Sequence, residues 1–304
     1  MAVNRAQIVK ELEPGLNAVF GEEYNRYEME HTYIFDSPEK SNRAFEEEVL
    51  FTGFEGAPTK AEGASVTYDE ARESYVSRYN METIALAFAL TEESLEDNLY
   101  ESLSMRLSKS LARSMAHTKQ VKAANVLNNG FTGGVTQGGD GVALFSTAHP
   151  LVDGSSASNK PATDVDLSEA ALEDALIAIS NFVDDRGIPI AVQARKLCLP
   201  PELIFIAQRI LQSPYRVDTS NNDINAIYSL NMFPGGYGIN HRLSDSDAWY
   251  IITDAPDGLK HFERVAMKTA MEGDFETGNV RYKARERYVF GWSDWRGAYA
   301  SEGG

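Results

Sequence analysis

Thr91 to Gly130 reads TEESLEDNLYESLSMRLSKSLARSMAHTKQVKAANVLNNG, and the architecture turns on this stretch. Residues 92–101 carry five acids and no base, and residues 106–122 carry five bases and no acid. Negative charge at the positive end of a helix dipole and positive charge at the other end both favour a helix. With Thr91 as N-cap and Asn129 and Gly130 as the stop, the spacing predicts one helix from Glu92 to about Asn128. Leu95, Leu99, Leu103, Leu107, Leu111 and Met115 recur at every fourth residue. At about 100° per residue such a stripe drifts by roughly 40° per step and winds around the helix. The first and last turns are therefore expected to pack on different neighbours, as in a strut lying across two parts of a molecule.

Downstream, the clearest strand is Val280–Trp292. Val280, Tyr282, Ala284, Glu286, Tyr288, Phe290 and Trp292 alternate with Arg281, Lys283, Arg285, Arg287 and Val289, so one face is largely aromatic and the other basic. Such a strand covers a core with one side and offers cations to something acidic with the other. Between these elements lie a glycine-rich loop (Gly130–Gly141), a helix capped by Ser168 running to about Asp184, a strand Lys196–Leu199, and a third helix from Pro201 to about Gln212. Short strands are expected at Gly238–Asn240, Ala248–Thr253 and Leu259–Arg264.

Upstream, Val49 to Leu90 reads as a hairpin. Gly53, Gly56, Pro58 and Gly63 mark its tip, and Tyr75, Ser77, Tyr79 and Met81 alternate with Val76, Arg78, Asn80 and Glu82. Before it, Arg5–Glu13 suggests one weak helix ended by Pro14 and Gly15. Glu11 to Glu48 holds eleven acidic and three basic side chains with few clustered apolar residues. A segment of that kind is read as an arm held by something outside it.

The whole chain has 28 Lys plus Arg against 45 Asp plus Glu, a formal charge of −17 in 304 residues. Phosphate backbones are bound by displacing counterions with Lys and Arg, so this balance excludes an ordinary nucleic-acid reader. Hydrophobic residues at 43% and charged residues at 24% are globular proportions. Because one core saturates at roughly 250–300 residues, two lobes, or one lobe with long extensions, are expected rather than one sphere. Cys198 has no second cysteine to pair with and no secretion-like leader opens the sequence, which points to a reducing compartment. The apolar runs Thr83–Leu90 and Leu203–Ala207 fall far short of the roughly 20 residues that span a bilayer.

Catalytic chemistry is sparse. The stretch GGVTQGGDG (Gly133–Gly141) follows a helix and lacks the Gly-Lys-Ser/Thr ending of a phosphate cradle, so it reads as a flexible loop. Ser146 and His149, with Asp140 and Asp153 nearby, have the residue types of a hydrolase triad without a nucleophile elbow, and His149 is expected to be structural. Cys198, between Leu197 and Leu199, reads as a buried inert thiol. The five histidines share no metal-ligand spacing, so neither a metal nor a cofactor is expected.

Four strings add a resemblance: LFSTAHPLVDG (Leu144–Gly154), KLCLPPELIFIAQRIL (Lys196–Leu211), NHRLSDSDAWYIITDAP (Asn240–Pro256) and YVFGWSDWRGAYAS (Tyr288–Ser301). In their order and spacing, with the arm, hairpin and long helix, the chain resembles the tailed-bacteriophage major capsid proteins of the Hong Kong 97 fold, most nearly the Mu-like major head subunits. The resemblance implies an α+β fold with an N-terminal arm (1–48), an extended β-hairpin loop (49–90), a peripheral domain with a spine helix (91–150), an axial domain (151–270) and a peripheral return strand with the C-terminus (271–304). It also implies a non-enzymatic protein of the virion, assembled in the host bacterial cytoplasm into hexamers and pentamers. These would enclose double-stranded DNA without binding it specifically. A scaffold, if one is used, would be a separate protein, and portal and decoration proteins are further expected partners; a membrane is not. Phe54, Pro58, Lys60 and Arg78 on the hairpin are expected subunit contacts. Arg281, Lys283, Arg285 and Arg287 are expected to face acids of an adjacent subunit or of the spine. The alternatives are an encapsulin-like cellular compartment and, in another class, a cytoplasmic serine hydrolase using Ser146 and His149.

Overall fold

Two four-stranded sheets and one long helix organise the chain in a computed structural model that describes residues 5–91, 100–133, 138–152, 154–216, 223–274 and 278–304. The helices are α1 (Arg5–Tyr24), α2 (His31–Ile34), α3 (Tyr100–Asn128), α4 (Glu169–Ser180), α5 (Ile204–Gln212) and α6 (Ala226–Ser229). The strands are β1 (Glu39–Lys40), β2 (Phe45–Phe51), β3 (Glu73–Asn80), β4 (Glu82–Leu90), β5 (His149–Pro150), β6 (Ser156–Ala157), β7 (Ala194–Leu199), β8 (Tyr237–Ile239), β9 (Trp249–Thr253), β10 (Leu259–Gly273), β11 (Val280–Trp292) and β12 (Ala298–Ser301). One sheet has the order β1-β10-β11-β4 and the other β12-β9-β7-β8, while β2 and β3 form a separate antiparallel ribbon.

α3 is the strut. Its middle turns bury Leu111, Ala112 and Met115 with Leu16 and Phe20 of α1 and with Tyr282 and Ala284 of β11. Its last turns bury Ala123, Val126 and Leu127 in the larger core, among Leu144, Phe145, Ile179 and the β7 and β9 side chains. The middle and the last turns of the described helix thus have different neighbours. The stripe does not wind as expected, however. Leu103 is exposed, and the buried positions Ser104, Ser108, Leu111, Met115 and Lys119 keep the 3.6-residue period. Serine is tolerated there because the Ser108 hydroxyl donates to the Leu16 carbonyl at 3.2 Å. Leu95, Leu99 and the turn that Thr91 is expected to cap fall in residues 92–99, outside the described residues.

The first helix does not stop at Pro14 but continues to Tyr24. An interior proline costs about 3 kcal/mol, whereas full burial of an apolar side chain contributes roughly 1.5–3 kcal/mol. Leu16 and Phe20, both nearly fully buried, therefore offset it. The arm, moreover, is held by its own chain. Asn17 accepts from Thr269 and Tyr282, Glu23 pairs with Arg113 at 2.5 Å, and Gln120 of α3 accepts from the His31 backbone. Phe35 is buried, and β1 pairs in parallel with β10.

Ser168 caps α4 as expected, accepting from the Ala171 N–H, but the helix ends at Ser180. Beyond it Val183 bridges Pro189, and the Asp184 carboxylate accepts from the Arg186 and Ile188 N–H groups, holding a turn. Pro201 opens a short 3-10 turn that leads into α5. β11 spans the expected residues. β10 is longer than expected and pairs with β11 as far as Gly273, so a boundary at residue 270 would cut a strand in two. β4 is likewise an edge of that sheet rather than part of a projecting hairpin. The part that stands off is the β2–β3 ribbon, beginning at Phe45, with its loop from Thr52 to Arg72. Among the described residues no helix is long and apolar enough to cross a membrane.

Candidate functional site

The alternation read from β11 survives in space. Val280, Tyr282, Ala284, Glu286 and Tyr288 are buried, while Arg281, Lys283 and Arg285 are exposed and Arg287 is half-buried. The inward face meets α3, so the four cations point away from the spine helix, and the expectation that the spine supplies their acids is corrected. Parity is the cause: Glu286, not a cation, has the inward position, 3.6 Å from Lys119 of α3. Arg281 reaches Asp274, just past the end of the neighbouring β10, at 2.6 Å. Lys283 and Arg285 have no ion-pair partner among the described residues, and directly across from Arg285 stands Lys268 of β10. Like charges opposite one another on one sheet face repel. On the other flank Ala85, Ala87 and Ala89 of β4 are small and exposed. Around Lys283 and Arg285 the outcome is a low, cationic surface without an ion-pair partner among the described residues.

Phe54, Pro58 and Lys60 all lie exposed on the loop. Arg78 is exposed on the ribbon, where its guanidinium lies 4.0 Å over the Phe45 ring and 3.7 Å from Glu47. A residue that sequence reasoning passed over, Arg186, holds the base of the loop. It donates to Asp69 at 3.2 Å and to the Glu70 carbonyl at 2.6 Å. Asp69 also accepts from the Glu55 N–H at 2.8 Å, and the two backbone donors Glu55 and Glu70 keep its carboxyl below the usual range. A contact spanning more than a hundred residues leaves no local signal in the sequence.

His149 is structural. It is fully buried, stacks on Trp295 at 4.7 Å, and engages Asp140 through Nδ1 at 2.7 Å and Asn159 through Nε2 at 3.1 Å. The Asn159 amide nitrogen donates to the carbonyls of Leu144, Trp295 and Ala298, which turns its oxygen toward the imidazole. Both ring nitrogens are thus committed. The Ser146 hydroxyl instead accepts from the Ala148 N–H, so the nucleophile and base of a hydrolase are not assembled. Asp153 lies outside the described residues. The glycine-rich loop is explained by close approach rather than by slack. A Cβ on Gly138 would stand 2.1 Å from the Trp292 ring, and one on Gly139 would stand 2.9 Å from the Val76 backbone. Cys198 is buried with its thiol pushed up to about 12 by desolvation. Among the described residues no group of three or more His, Cys, Asp or Glu side chains could hold a metal.

Two buried polar clusters were not read from the sequence. In one, Arg296 donates to Asp294 at 3.1 Å, to Asp185 at 2.8 Å and to the Val183 carbonyl at 2.7 Å, and stacks 4.4 Å over Trp295. In the other, where α1, α2, α3, β10 and β11 meet, His31 and His261 stand edge to face at 5.8 Å. Beside them Lys119 pairs with Glu286 and Glu263. Burial first, then the Lys119 ammonium, lowers His31 to about 4 and His261 to about 3. Burial raises Glu286, which accepts from the Tyr24 hydroxyl. The one visible signal was Glu286 itself, the only charge on the aromatic face of β11.

A family model described as "Phage capsid protein" matches residues 74–301. No curated protein matches the chain. Among solved structures, the capsid of a native GTA particle superposes with a TM-score of 0.57 at 13% identity, covering 90% of each chain. A virus-like particle from Pyrococcus furiosus gives 0.55 at 13% identity, covering 94% of this chain and 97% of that one. The capsid of the Cyanophage P-SCSP1u gives 0.55 at 10% identity over 86% and 84%. At such identities the structural likeness speaks for the fold, and the family match speaks for the protein. The chain belongs to the phage capsid protein family and is a major capsid protein of the Hong Kong 97 type, a component of the virion.

Proposed function

We infer that this capsid protein assembles into hexamers and pentamers that close an icosahedral shell around double-stranded DNA in the host bacterial cytoplasm, with any scaffold, the portal and decoration proteins as separate chains. The observation that carries the assembly reading is the cationic outer face of β11: in a chain of net charge −17, Lys283 and Arg285 have no ion-pair partner among the described residues. Acidic groups of an adjacent copy fit that face. A weak contact repeated over many copies closes a shell through multivalency. The acidic balance of the chain would also let packaged DNA move instead of adhering to the wall. The peripheral and axial lobes are assigned, respectively, to the sheet β1-β10-β11-β4 with α3 and to the sheet β12-β9-β7-β8 with α4 and α5. Phe54, Pro58 and Lys60 on the exposed loop and Arg78 on the ribbon, with Arg281, Lys283, Arg285 and Arg287, are the proposed subunit contacts.

The family match favours a phage head over an encapsulin-like compartment. Reversing Lys283 and Arg285 to Glu tests the assignment. Secondary structure by circular dichroism is expected to stay unchanged while sedimentation and negative-stain imaging show free subunits. Normal particles from that variant would refute it.

A further inference from the structure

The sheet β1-β10-β11-β4 ends on β4, whose far edge pairs with no strand among the described residues. An edge strand presents a row of unpaired N–H and C=O groups, and proteins that keep such an edge free of partners blunt it with lysine, proline, a bulge or short length. β4 has none of these. It runs for nine residues, its register with β11 is unbroken, and after Glu82 it carries no charge: ETIALAFAL. Thr83, Ala85, Leu86, Ala87 and Ala89 are all exposed.

The exposed loop holds a segment suited to that edge. Ser65–Tyr68 reads SVTY, and Val, Thr and Tyr are strand-prone. It belongs to no strand and makes no backbone hydrogen bond among the described residues. Val66 is 65% exposed and Tyr68 94%. On one side the chain turns through Gly63 at φ 77°. On the other, Asp69 is clamped by Arg186 and the Glu55 N–H. A clamped base presents the segment in a limited set of directions, which lowers the entropic cost of docking it. Charge agrees. Gly53–Glu73 carries five acids and two bases, while the sheet face next to β4 carries the opposed pair Lys268 and Arg285 with the unpaired Lys283. A strand added to β4 lies two strand spacings, about 10 Å, from β11, within reach of long cationic side chains.

We propose that Ser65–Tyr68 of one copy adds as a further strand to the open edge of β4 in a neighbouring copy, bringing Glu62 and Glu70 of the loop toward Lys268, Lys283 and Arg285. The docking is main-chain recognition of the β-augmentation kind, with charge setting orientation. It rests on the shell reading and names the segment, the edge and the mode of contact.

Backbone parity tests it. In a strand the N–H and C=O of one residue point to one side and those of the next to the other. The double variant V66P/Y68P and the single variant T67P therefore remove donors on opposite sides of the segment, and neither removes a backbone hydrogen bond described within the chain. One of the two is expected to lower particle yield at least tenfold and the other to stay within twofold of the parent, by sedimentation. Equal behaviour of both variants overturns the strand addition. A second measurement places cysteine at V66C or T67C with T83C, A85C, A87C or A89C, taken in turn; the buried Cys198 does not compete. At least one pairing is expected to give an oxidised inter-chain ladder from assembled particles on a non-reducing gel. Particles that form normally and never crosslink eliminate the proposal while leaving the shell reading standing, whereas a parent chain that never forms particles eliminates both.

Discussion

The cluster around Arg296 and the loop from Gly53 to Glu73 both carry many charges, yet they solve opposite problems. Arg296, Asp294 and Asp185 are almost wholly buried, and the guanidinium is satisfied by two carboxylates, a backbone carbonyl and an indole face. The loop is exposed almost throughout, and apart from the Arg186 clamp at its base its polar groups find few partners in the chain. Charge that is buried and saturated fixes one arrangement of the two segments, 183–185 and 294–296, that meet at Trp295. Charge and apolar surface left exposed together contribute little to the isolated subunit, as the proposed contacts with another copy require.

The sharpest way to break this contrast is at Arg296. Arg296→Met keeps much of the volume but strands two buried carboxylates, and removing one partner of a buried ion pair typically costs about 3–5 kcal/mol. Denaturant unfolding of the unassembled subunit should report a loss of that size. A loss under about 1 kcal/mol would mean that the cluster is wetter than its burial implies. Double replacement of Arg296 and Asp185 by apolar residues should recover part of the loss, because the uncompensated charge goes with it.

Acid acts next, at the junction of arm, spine and sheet. His31 and His261 bind protons more weakly folded, at about 4 and about 3, than unfolded, at 6.5. Below about pH 6.5 the unfolded chain therefore takes up protons that the folded chain refuses, and stability falls as pH falls. The slope is about 1.4 kcal/mol per pH unit for each histidine while only the unfolded form is protonated. Glu286, raised by burial, has the opposite sign: the folded form gains its proton first, so it offsets part of the loss near its own titration. His261→Phe, which keeps an aromatic ring beside Phe290 at the 4.2 Å stacking position, should flatten the fall between pH 6 and pH 4 by about one proton's slope. An unchanged pH profile in that variant would place the acid sensitivity elsewhere.

How much of this was legible in the sequence follows the range of each interaction. β11 was readable to the residue because period-two alternation is local and strong, and α3 was readable because its charges are sorted along the dipole. The α1 helix was cut short at Pro14 since local propensity cannot see Leu16 and Phe20 packing on α3. β10 was read as six residues where it runs for fifteen, because Met267 and Met271 sit at half-buried, weakly patterned positions beyond the core. Of the candidate contacts, the direction of the β11 cations could be read but their partners could not. Arg78 stands on the exposed side that the alternation gives it, while its neighbours Phe45 and Glu47 lie on another strand and leave no local signal. The clamp of Arg186 on Asp69 and the histidine pair join distant segments and carry no periodic signature.

The smallest expected effect on the subunit sits at the other pole of the contrast. Deleting residues 54–66 removes Phe54, Pro58, Lys60 and Val66, all exposed, together with one arm of the Arg186 clamp. Surface changes of this kind stay within about 0.5 kcal/mol, and shortening a loop slightly lowers its closure entropy. Denaturant midpoints of the unassembled subunit should therefore barely move, whereas sedimentation and negative-stain imaging should find no closed particles. The joint outcome carries the argument: a segment that is thermodynamically silent in one copy and indispensable among many has its binding partner on another copy. Particles of normal size from the deletion would return the loop to the status of an ornament and leave the cationic face of β11 to find its acids elsewhere.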